Sequence, residues 1–373
     1  MPKGDELLIL ENLRAYYPSS KGLVRAVDDV SLEIREGESA GLLGESGCGK
    51  SSLALAIMGL FERVARFHAG VSNDPTLLKQ FKAAAEVPIE DRPGVQGKVT
   101  FRGKVLTEMK QEELVEIRGK EISLIPQGLT KALNPQLSIG HQTAEPIDIH
   151  ARLMDARLSL DAGSRLIDMK RRVLEYLGLV QLADAGIRYV LDPGSFSGGE
   201  SQRVLIAMAL ISGPYLVIAD EPTSALDVTI QRQIMEVLRM VKDEFNVSTL
   251  LISHDAGVIA ELSDRVAVMY AGKIQEYGDG VQMFHHPGHP YTMGLMASFP
   301  TIAMMRMKSG GKKPRLRGIR GAPPDLTDLP SGCTFHPRCD YCIDICKIEV
   351  PEYREVEPRH YVRCHRWGEI EQE

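Results

Sequence analysis

The chain has 373 residues and a formal net charge of -6 at pH 7, which is enough material for one large domain and a smaller appended one. This charge argues against nucleic acid as the main partner, because binding to a phosphate backbone needs an excess of basic residues. The sequence has no apolar run of about 18 residues or more, and its polar N-terminus does not resemble a signal peptide. We therefore expect a cytosolic chain without a membrane span of its own.

A glycine-rich loop lies between a predicted strand and a predicted helix near the N-terminus. With the spacing GxxxxGK[ST], it reads Gly44-Glu45-Ser46-Gly47-Cys48-Gly49-Lys50-Ser51. Glycines let backbone N–H groups face a phosphate, and a helix N-terminus adds the positive end of its dipole. Lys50 would reach the β and γ oxygens, and the Ser51 hydroxyl would bind Mg²⁺. We predict an ATP site here that extends to Ser52, since an ordinary glycine turn would not explain both flanks.

A short apolar run that ends in two acids, Leu216 to Glu221, follows a Ser-Gly-Pro turn. Such a run is typical of a buried parallel strand, and ligands bind at the C-terminal ends of these strands. Asp220 is then the carboxylate on the Mg²⁺ side, and Glu221 is the candidate for orienting or deprotonating the attacking water. Alone, this pair could equally be a solvated strand end. Its position between Ser197-Gly198-Gly199-Glu200 and the segment Ser224 to Asp227 favours the catalytic interpretation.

Two more predicted strands end in polar side chains. Residues 122–125 lead to Gln127, whose amide could bind Mg²⁺ or the water. Residues 248–252 lead to His254, which in this order of motifs is expected to face the γ-phosphate. A lone histidine after a strand is more often a polar residue at the border of a sheet, so His254 gains its meaning from the other motifs.

These motifs in this order resemble the ATP-binding subunit of an ABC transporter, from about residue 5 to residue 280. The resemblance implies an α/β fold: a P-loop NTPase cassette with a RecA-like parallel sheet core, an N-terminal antiparallel β subdomain and a helical subdomain at about 130–195. It also implies a head-to-tail dimer, in which the phosphate loop of one subunit and the turn 197–200 of the other enclose ATP, with Asp227 nearby. Because the turn opens a predicted helix, its N–H groups could cap the γ-phosphate from the opposite side.

Adenine needs a flat partner, and two tyrosines near the N-terminus are candidates. By family position Tyr17 is the better choice for stacking, while Tyr16 is expected to cover the antiparallel sheet. The alternative is that Tyr17 covers this sheet too. Residues of about 62–97 exceed the length that the family pattern requires, and we expect a surface insertion there.

The C-terminal part narrows the type of transporter. Residues 284–295, with the sequence FHHPGHPYTMGL, and residues 330–339, with PSGCTFHPRC, resemble the C-terminal extension of oligopeptide and dipeptide importer ATPases. We therefore expect an extension at 281–373 that follows the nucleotide-binding domain at 5–280.

Five of the six cysteines lie in this extension. Disulfides are not expected in the cytosol, so crowded thiols indicate a metal or a cluster, and four thiolates suit either Zn²⁺ or [4Fe-4S]. The family pattern selects Cys333, Cys339, Cys346 and Cys364 and implies an iron–sulfur cluster. Cys342 departs from this pattern, and unligated thiols are the third alternative.

The remaining cysteine, Cys48, lies inside the phosphate loop. A helix N-terminus favours the thiolate, so we predict that Cys48 is readily alkylated and that ATP protects it. The alternative is that Cys48 only fills a position for a small side chain.

The leading hypothesis is an ATPase subunit that powers import of peptides or related small solutes. The resemblance implies a location at the cytoplasmic face of the membrane, two permease subunits, an extracytoplasmic binding protein and a second ATP-binding subunit, with which this chain would form a heterodimer. Oligosaccharide or nickel cargo is the first alternative. A soluble ABC ATPase of translation or DNA repair and a non-catalytic regulatory partner are the others.

Overall fold

The computed structural model describes residues 5–63, 93–128, 132–155, 162–224, 226–298 and 318–370. The predicted insertion therefore lies largely outside the described residues. The chain divides into two compact units. The first unit comprises Met1–Leu7, Ile34–Ser39 and Glu108–Ile252. The second unit comprises Leu8–Glu33, Ala40–Thr107 and Ser253–Glu373.

The described residues form twelve strands and ten α-helices. The strands are β1 (Glu6–Ser19), β2 (Gly22–Arg35), β3 (Ser39–Leu43), β4 (Gly94–Phe101), β5 (Lys104–Val105), β6 (Ile122–Ile125), β7 (Leu216–Asp220), β8 (Ser248–Ser253), β9 (Arg265–Tyr270), β10 (Lys273–Asp279), β11 (Arg354–Glu357) and β12 (His360–Val362). The helices are α1 (Lys50–Ile57), α2 (Gln111–Ile117), α3 (Ile139–Asp155), α4 (Ala162–Leu179), α5 (Ala185–Arg188), α6 (Gly198–Leu210), α7 (Val228–Phe245), α8 (Ala256–Leu262), α9 (Gly280–His285) and α10 (Pro290–Ser298).

The first unit is built on three neighbouring parallel strands in the order β6-β7-β8. Every residue of β7 and β8 is buried, which explains why both read as nearly continuous apolar runs. The register places Ala219 beside Ile125 on one side and beside Leu251 on the other. As a result, the strands that lead to Gln127 and Glu221 end next to each other.

Helices make up most of residues 130–195, as the sequence predicted. Helix α4 packs against α3 and α6 through a stripe that includes Val173 and Leu177, both fully buried. Helix α6 begins at the predicted glycine turn, and α7 begins directly after Asp227.

The second unit contains the phosphate loop and the C-terminal extension. Strand β3 runs parallel to β9, and β9 pairs antiparallel with β10. The C-terminal strands continue this arrangement, since β12 pairs antiparallel with β10 and β11 pairs with β12. A separate four-stranded sheet has the order β2-β1-β4-β5, which agrees with the predicted N-terminal antiparallel subdomain.

Across the described ranges, no helix has both the length and the apolar character that a membrane span requires.

Candidate nucleotide-binding site

The phosphate loop, residues 44–51, connects β3 to α1 with the glycines that its path requires. A Cβ on Gly44 would lie 2.3 Å from the Met269 carbonyl oxygen, and one on Gly49 would lie 1.9 Å from the Ala26 carbonyl oxygen. Gly49 also has φ 112°, and Gly47 has φ 80°, a region that residues with side chains rarely adopt. The loop is thus packed so closely against its surroundings that a side chain at Gly44 or Gly49 would move it.

The ammonium group of Lys50 is buried inside the loop. It donates hydrogen bonds to the carbonyl oxygens of Gly44, at 2.8 Å, and Glu45, at 3.0 Å. Ser51 and Ser52 occupy the next positions in the first turn of α1. Lys50 is therefore held by its own loop, in the place where the sequence predicts phosphate binding.

Cys48 does not have the chemistry that the sequence predicted. It is only 4% exposed, and burial raises the pKa of its thiol to about 11, which outweighs the favourable charge of Lys50. The prediction of a favoured, readily alkylated thiolate is therefore wrong. The position inside the loop fits the alternative, a small side chain in a packed site.

The signature turn, Ser197 to Glu200, is fixed by a reciprocal cap at the start of α6. The Ser197 hydroxyl accepts a hydrogen bond from the Glu200 N–H at 3.3 Å, and the Glu200 carboxylate accepts one from the Ser197 N–H at 2.9 Å. Arg188 pairs with the same carboxylate and lies over the Phe196 ring at 5.3 Å. The Ser197 N–H and then Arg188 lower the pKa of Glu200, so this carboxylate is charged.

The two glycines of the signature turn differ in their surroundings. Gly198 is the first residue of α6, and Gly199 is buried beside Ile230. A Cβ on Gly199 would lie 2.4 Å from the Cγ2 atom of Ile230. Close packing of α6 on α7 therefore requires glycine at this position.

Three predicted site residues lie together in the first unit, at the ends of β6 and β7. Asp220 is the last residue of β7 and is buried, at 6% exposure. Glu221 follows with φ 50°, an uncommon conformation for this residue type, and its N–H donates to the Ile252 carbonyl oxygen at 2.9 Å. Gln127 donates to the Glu221 carboxylate at 3.4 Å. The structure thus brings an amide and two carboxylates to the ends of two neighbouring strands.

Two other predicted residues follow secondary structure as expected. His254 comes directly after β8 and is exposed. Asp227 caps α7, because its carboxylate accepts hydrogen bonds from the N–H groups of Thr229, at 3.0 Å, and Ile230, at 3.1 Å. Asp227 therefore has a structural task in addition to the proximity to ATP that the sequence predicted.

The tyrosines near the N-terminus behave differently from each other. Tyr16 is buried, and its hydroxyl donates to the Asp28 carboxylate, as expected for a residue that covers the sheet. Tyr17 is half-buried, and its ring centre lies 6.0 Å from that of Phe61. Part of the Tyr17 ring is accessible, so it stays the candidate for adenine.

Four cysteines line one pocket in the C-terminal extension, here called the cysteine pocket: Cys333, Cys339, Cys346 and Cys364. Burial raises the pKa of Cys333 to about 12 and that of Cys339 to about 11, so these thiols stay protonated unless a cation binds them. Among the described residues, no group of three or more His, Cys, Asp or Glu is arranged to hold a metal ion. The four thiols that share this pocket are the donor type of a thiolate-bound group.

Cys342 lies outside this pocket. It is half-exposed, and its thiol points to the carbonyl oxygen of Ile343 at 3.5 Å. The family pattern, which leaves Cys342 out, thus agrees with the set of cysteines that shares a cavity.

Sequence reasoning missed the most connected residue of the phosphate loop, Glu45. Its carboxylate pairs with Arg338, and its N–H donates to the Tyr291 hydroxyl at 3.1 Å. The sequence did point to Tyr291 as part of residues 284–295, which resemble the importer ATPases, but nothing in it connected this segment to the loop.

Comparisons with known proteins agree with these features. A family model described as ABC transporter matches residues 27–70 and 76–224, and one described as oligopeptide/dipeptide transporter, C-terminal region, matches residues 275–346. The chain is 38% identical to the oligopeptide transport ATP-binding protein OppD of Haemophilus influenzae, over 92% of each chain. It is 38% identical to the dipeptide transport ATP-binding protein DppD of Bacillus subtilis, over 96% of this chain and 94% of that protein.

A third relative is a probable peptide ABC transporter ATP-binding protein, y4tR, of Sinorhizobium fredii, which is 36% identical over 99% of this chain and 97% of its own length. Among solved structures, the ATP-binding cassette MJ0796 in a dimeric state with ADP and Pi superposes with a TM-score of 0.56 at 23% identity. The alignment covers 73% of this chain and 98% of the cassette. The predicted cassette fold is confirmed.

Proposed function

Since this chain belongs to the ABC transporter ATP-binding proteins that carry the oligopeptide/dipeptide transporter C-terminal region, we propose that it powers the import of peptides. As a member of this family the chain is an ATPase, and ATP with Mg²⁺ is its expected substrate. The observation that carries the proposal is that relatives named for oligopeptide and dipeptide transport match nearly their whole length. Oligosaccharide and nickel are the alternative cargoes.

We assign the catalytic roles from the two groups of residues described above. The phosphate loop binds the triphosphate through its N–H groups and Lys50, and Tyr17 stacks on adenine. Ser51, Gln127 and Asp220 hold Mg²⁺. Two further residues act on the reacting phosphate: Glu221 orients or deprotonates the water, and His254 contacts the γ-phosphate.

Support for the role of Glu221 comes from its backbone. The left-handed conformation and the N–H bond to Ile252 direct this residue away from the strand path that Asp220 ends. The hydrogen bond from Gln127 shows that the carboxylate is within reach of a residue that we assign to Mg²⁺. Hydrolysis requires a base and a metal ligand close together, and the neighbouring ends of β6 and β7 supply one of each.

The partners follow from the family. An importer of this kind needs permease subunits and a binding protein, and this chain would lie at the cytoplasmic face of the membrane. We further propose a second, homologous ATP-binding subunit as the dimer partner. The capped start of α6 supports this, because the signature turn presents a helix N-terminus to a ligand that another subunit would hold. We also propose that the nucleotide-binding domain covers residues 5–280 and that the C-terminal extension covers residues 281–373.

We propose that the cysteine pocket holds a [4Fe-4S] cluster, with Zn²⁺ as the alternative. Four cysteines around one cavity, two of them buried and two half-buried, support a group bound by thiolates. When bound, the cluster would supply an iron–sulfur centre joined to the protein through four thiolates. Cys333 and Cys339, whose thiol pKa values are raised by burial, would release protons on binding it.

The function can be tested with the chain, its permeases and its binding protein together in lipid vesicles. ATP hydrolysis should rise when the binding protein is loaded with a peptide. Lys50→Ala should abolish this rise, because the triphosphate loses its contact with the Lys50 ammonium group. If an oligosaccharide or Ni²⁺ stimulates hydrolysis and peptides do not, that solute is the cargo and peptides are not. A rate of ATP hydrolysis that is the same with and without the permeases and the loaded binding protein would contradict the transport role itself.

A further inference from the structure

A residue of the C-terminal extension holds the carboxylate of the phosphate loop. The two terminal nitrogens of Arg338 pair with the two oxygens of Glu45, at 2.6 Å and 3.0 Å. Such a two-pronged contact fixes direction as well as distance. The side chain of Arg338 is only 5% exposed and that of Glu45 is 26% exposed, so water weakens this pair less than a surface ion pair.

The remaining polar groups of Glu45 are also occupied. Its N–H donates to the Tyr291 hydroxyl at 3.1 Å, and its carbonyl oxygen accepts from the Lys50 ammonium at 3.0 Å. The same carbonyl accepts from the N–H of Cys48 at 3.4 Å. Arg338 and Lys50 are therefore connected through one residue, which lies between the extension and the group that we assign to the triphosphate.

Arg338 itself is rigidly placed. Its Nε donates to the carbonyl oxygen of Arg320 at 2.7 Å, and one terminal nitrogen donates to the Tyr270 hydroxyl at 3.4 Å. The Tyr270 ring packs against Tyr291 and Phe335, with ring centres at 4.6 Å and 5.2 Å. The guanidinium thus approaches the phosphate loop from a packed aromatic cluster.

A carboxylate in a phosphate-binding loop is electrostatically unfavourable, because it repels the anion that the loop must bind. We propose that Arg338 is a positioning residue for nucleotide binding: it holds and neutralises the carboxylate of Glu45, the residue whose carbonyl oxygen accepts a hydrogen bond from Lys50. This inference rests on the proposed binding of ATP. It assigns to the extension a direct effect on the nucleotide site.

The test must separate this role from a structural one, because Arg338 also holds its own segment through Arg320. Arg338→Met leaves Glu45 charged and uncompensated, and the second change Glu45→Gln removes that charge. If repulsion by Glu45 causes the loss of ATP affinity in R338M, the double variant R338M/E45Q recovers that affinity. If loosening of the extension causes the loss, the double variant binds ATP as weakly as R338M.

The measurement is the Kd of the full chain for ATP and for ADP. We expect R338M to weaken ATP binding about tenfold and to weaken ADP binding by a smaller factor, since ADP carries less charge. In R338M/E45Q the Kd for ATP should return to within about threefold of the native value. Arg354→Met is the matched control, because it removes the same charge from an exposed position of the extension and should leave both constants unchanged.

Each outcome decides. The inference is overturned if R338M and R338M/E45Q bind ATP equally weakly, or if R338M binds ATP with the native Kd. Failure of the native chain to bind ATP overturns the proposed function and the inference with it. If R338M does not fold, Arg338→Lys keeps the charge but loses the two-pronged contact. It should weaken ATP binding about threefold, with recovery by E45Q, and an unchanged Kd would contradict the role.

Discussion

Gln127 donates a hydrogen bond to the carboxylate of Glu221 across 3.4 Å, and this contact joins the ends of two neighbouring parallel strands. Glu221 reaches this position only through its left-handed backbone, which its N–H bond to Ile252 holds in place. The amide and the carboxylate are thus set beside Asp220, where the chemistry of hydrolysis is proposed.

Glu221→Gln tests the role of this carboxylate. The change keeps the size of the side chain and removes its charge, so ATP should still bind while turnover falls by about 100-fold or more. ATP hydrolysis and the association state in the presence of ATP are the measurements, and the variant should accumulate as a closed dimer. Glu244→Gln, on the exposed end of α7, is the control. Unaltered turnover in Glu221→Gln would remove this residue from the mechanism.

The two tasks of Ser197 can be separated by substitution. Ser197→Ala removes the cap of α6 and should cost about 1 kcal/mol of unfolding free energy. Ser197→Asp supplies a capping oxygen but places a negative charge beside the Glu200 carboxylate and at the signature turn, so turnover should fall further than in Ser197→Ala. Thermal unfolding and ATP hydrolysis of both variants give the answer. Native turnover in Ser197→Asp would show that no phosphate approaches this turn.

Gly49 and Gly47 should respond differently to alanine. In Gly49→Ala the new Cβ would lie 1.9 Å from the Ala26 carbonyl oxygen, so the loop must shift. In Gly47→Ala no atom lies within 4 Å, and only the φ of 80° opposes the change, at a cost of about 1–2 kcal/mol. Urea unfolding should therefore show the larger loss of stability for Gly49→Ala. An equal loss would mean that the close contact relaxes freely.

Alkylation of Cys48 should be slow at neutral pH. Because burial raises its pKa to about 11, the thiolate is scarce at pH 7, and the reaction rate should rise about tenfold for each pH unit up to that value. A free thiol levels off near pH ~8.5. The rate of iodoacetamide labelling against pH, followed by peptide mass analysis, checks this. A rate at Cys48 that already levels off near pH ~8.5 would contradict its burial.

The cysteine pocket predicts which thiols matter for metal content. The chain purified without oxygen should contain about four irons, and Cys346→Ser should lower this content and the visible absorption of the cluster. Cys342→Ser is the matched control, since Cys342 lies outside the pocket, and should retain the iron. Zinc in place of iron, or iron loss in Cys342→Ser alone, would overturn the assignment.

Much of the candidate site was predictable because its signals are local. The strand before Gly44, the strand that ends at Asp220 and the helix that opens after Ser197 each lie where the sequence placed them. Local patterns specify such elements, since periodicity and turn residues act over a few positions. Asp227 illustrates the limit, because its motif did not reveal that its carboxylate is used as a helix cap.

The missed features arise from packing between distant segments. Arg338 lies 293 positions after Glu45, so no spacing rule relates them. The Cys48 prediction failed for the same reason: a helix N-terminus stabilises a thiolate, but burial, which only the tertiary structure determines, has the larger and opposite effect.

The pairing of β12 with β10 has a practical consequence for shortened forms of the chain. Tyr361 lies opposite Tyr277, and the Arg363 N–H donates to the Gln275 carbonyl oxygen at 2.8 Å. Removing the last residues would leave a long strand with an uncovered edge, whose free amide and carbonyl groups are a template for a neighbouring molecule. A truncated chain should therefore be less soluble and should aggregate edge to edge.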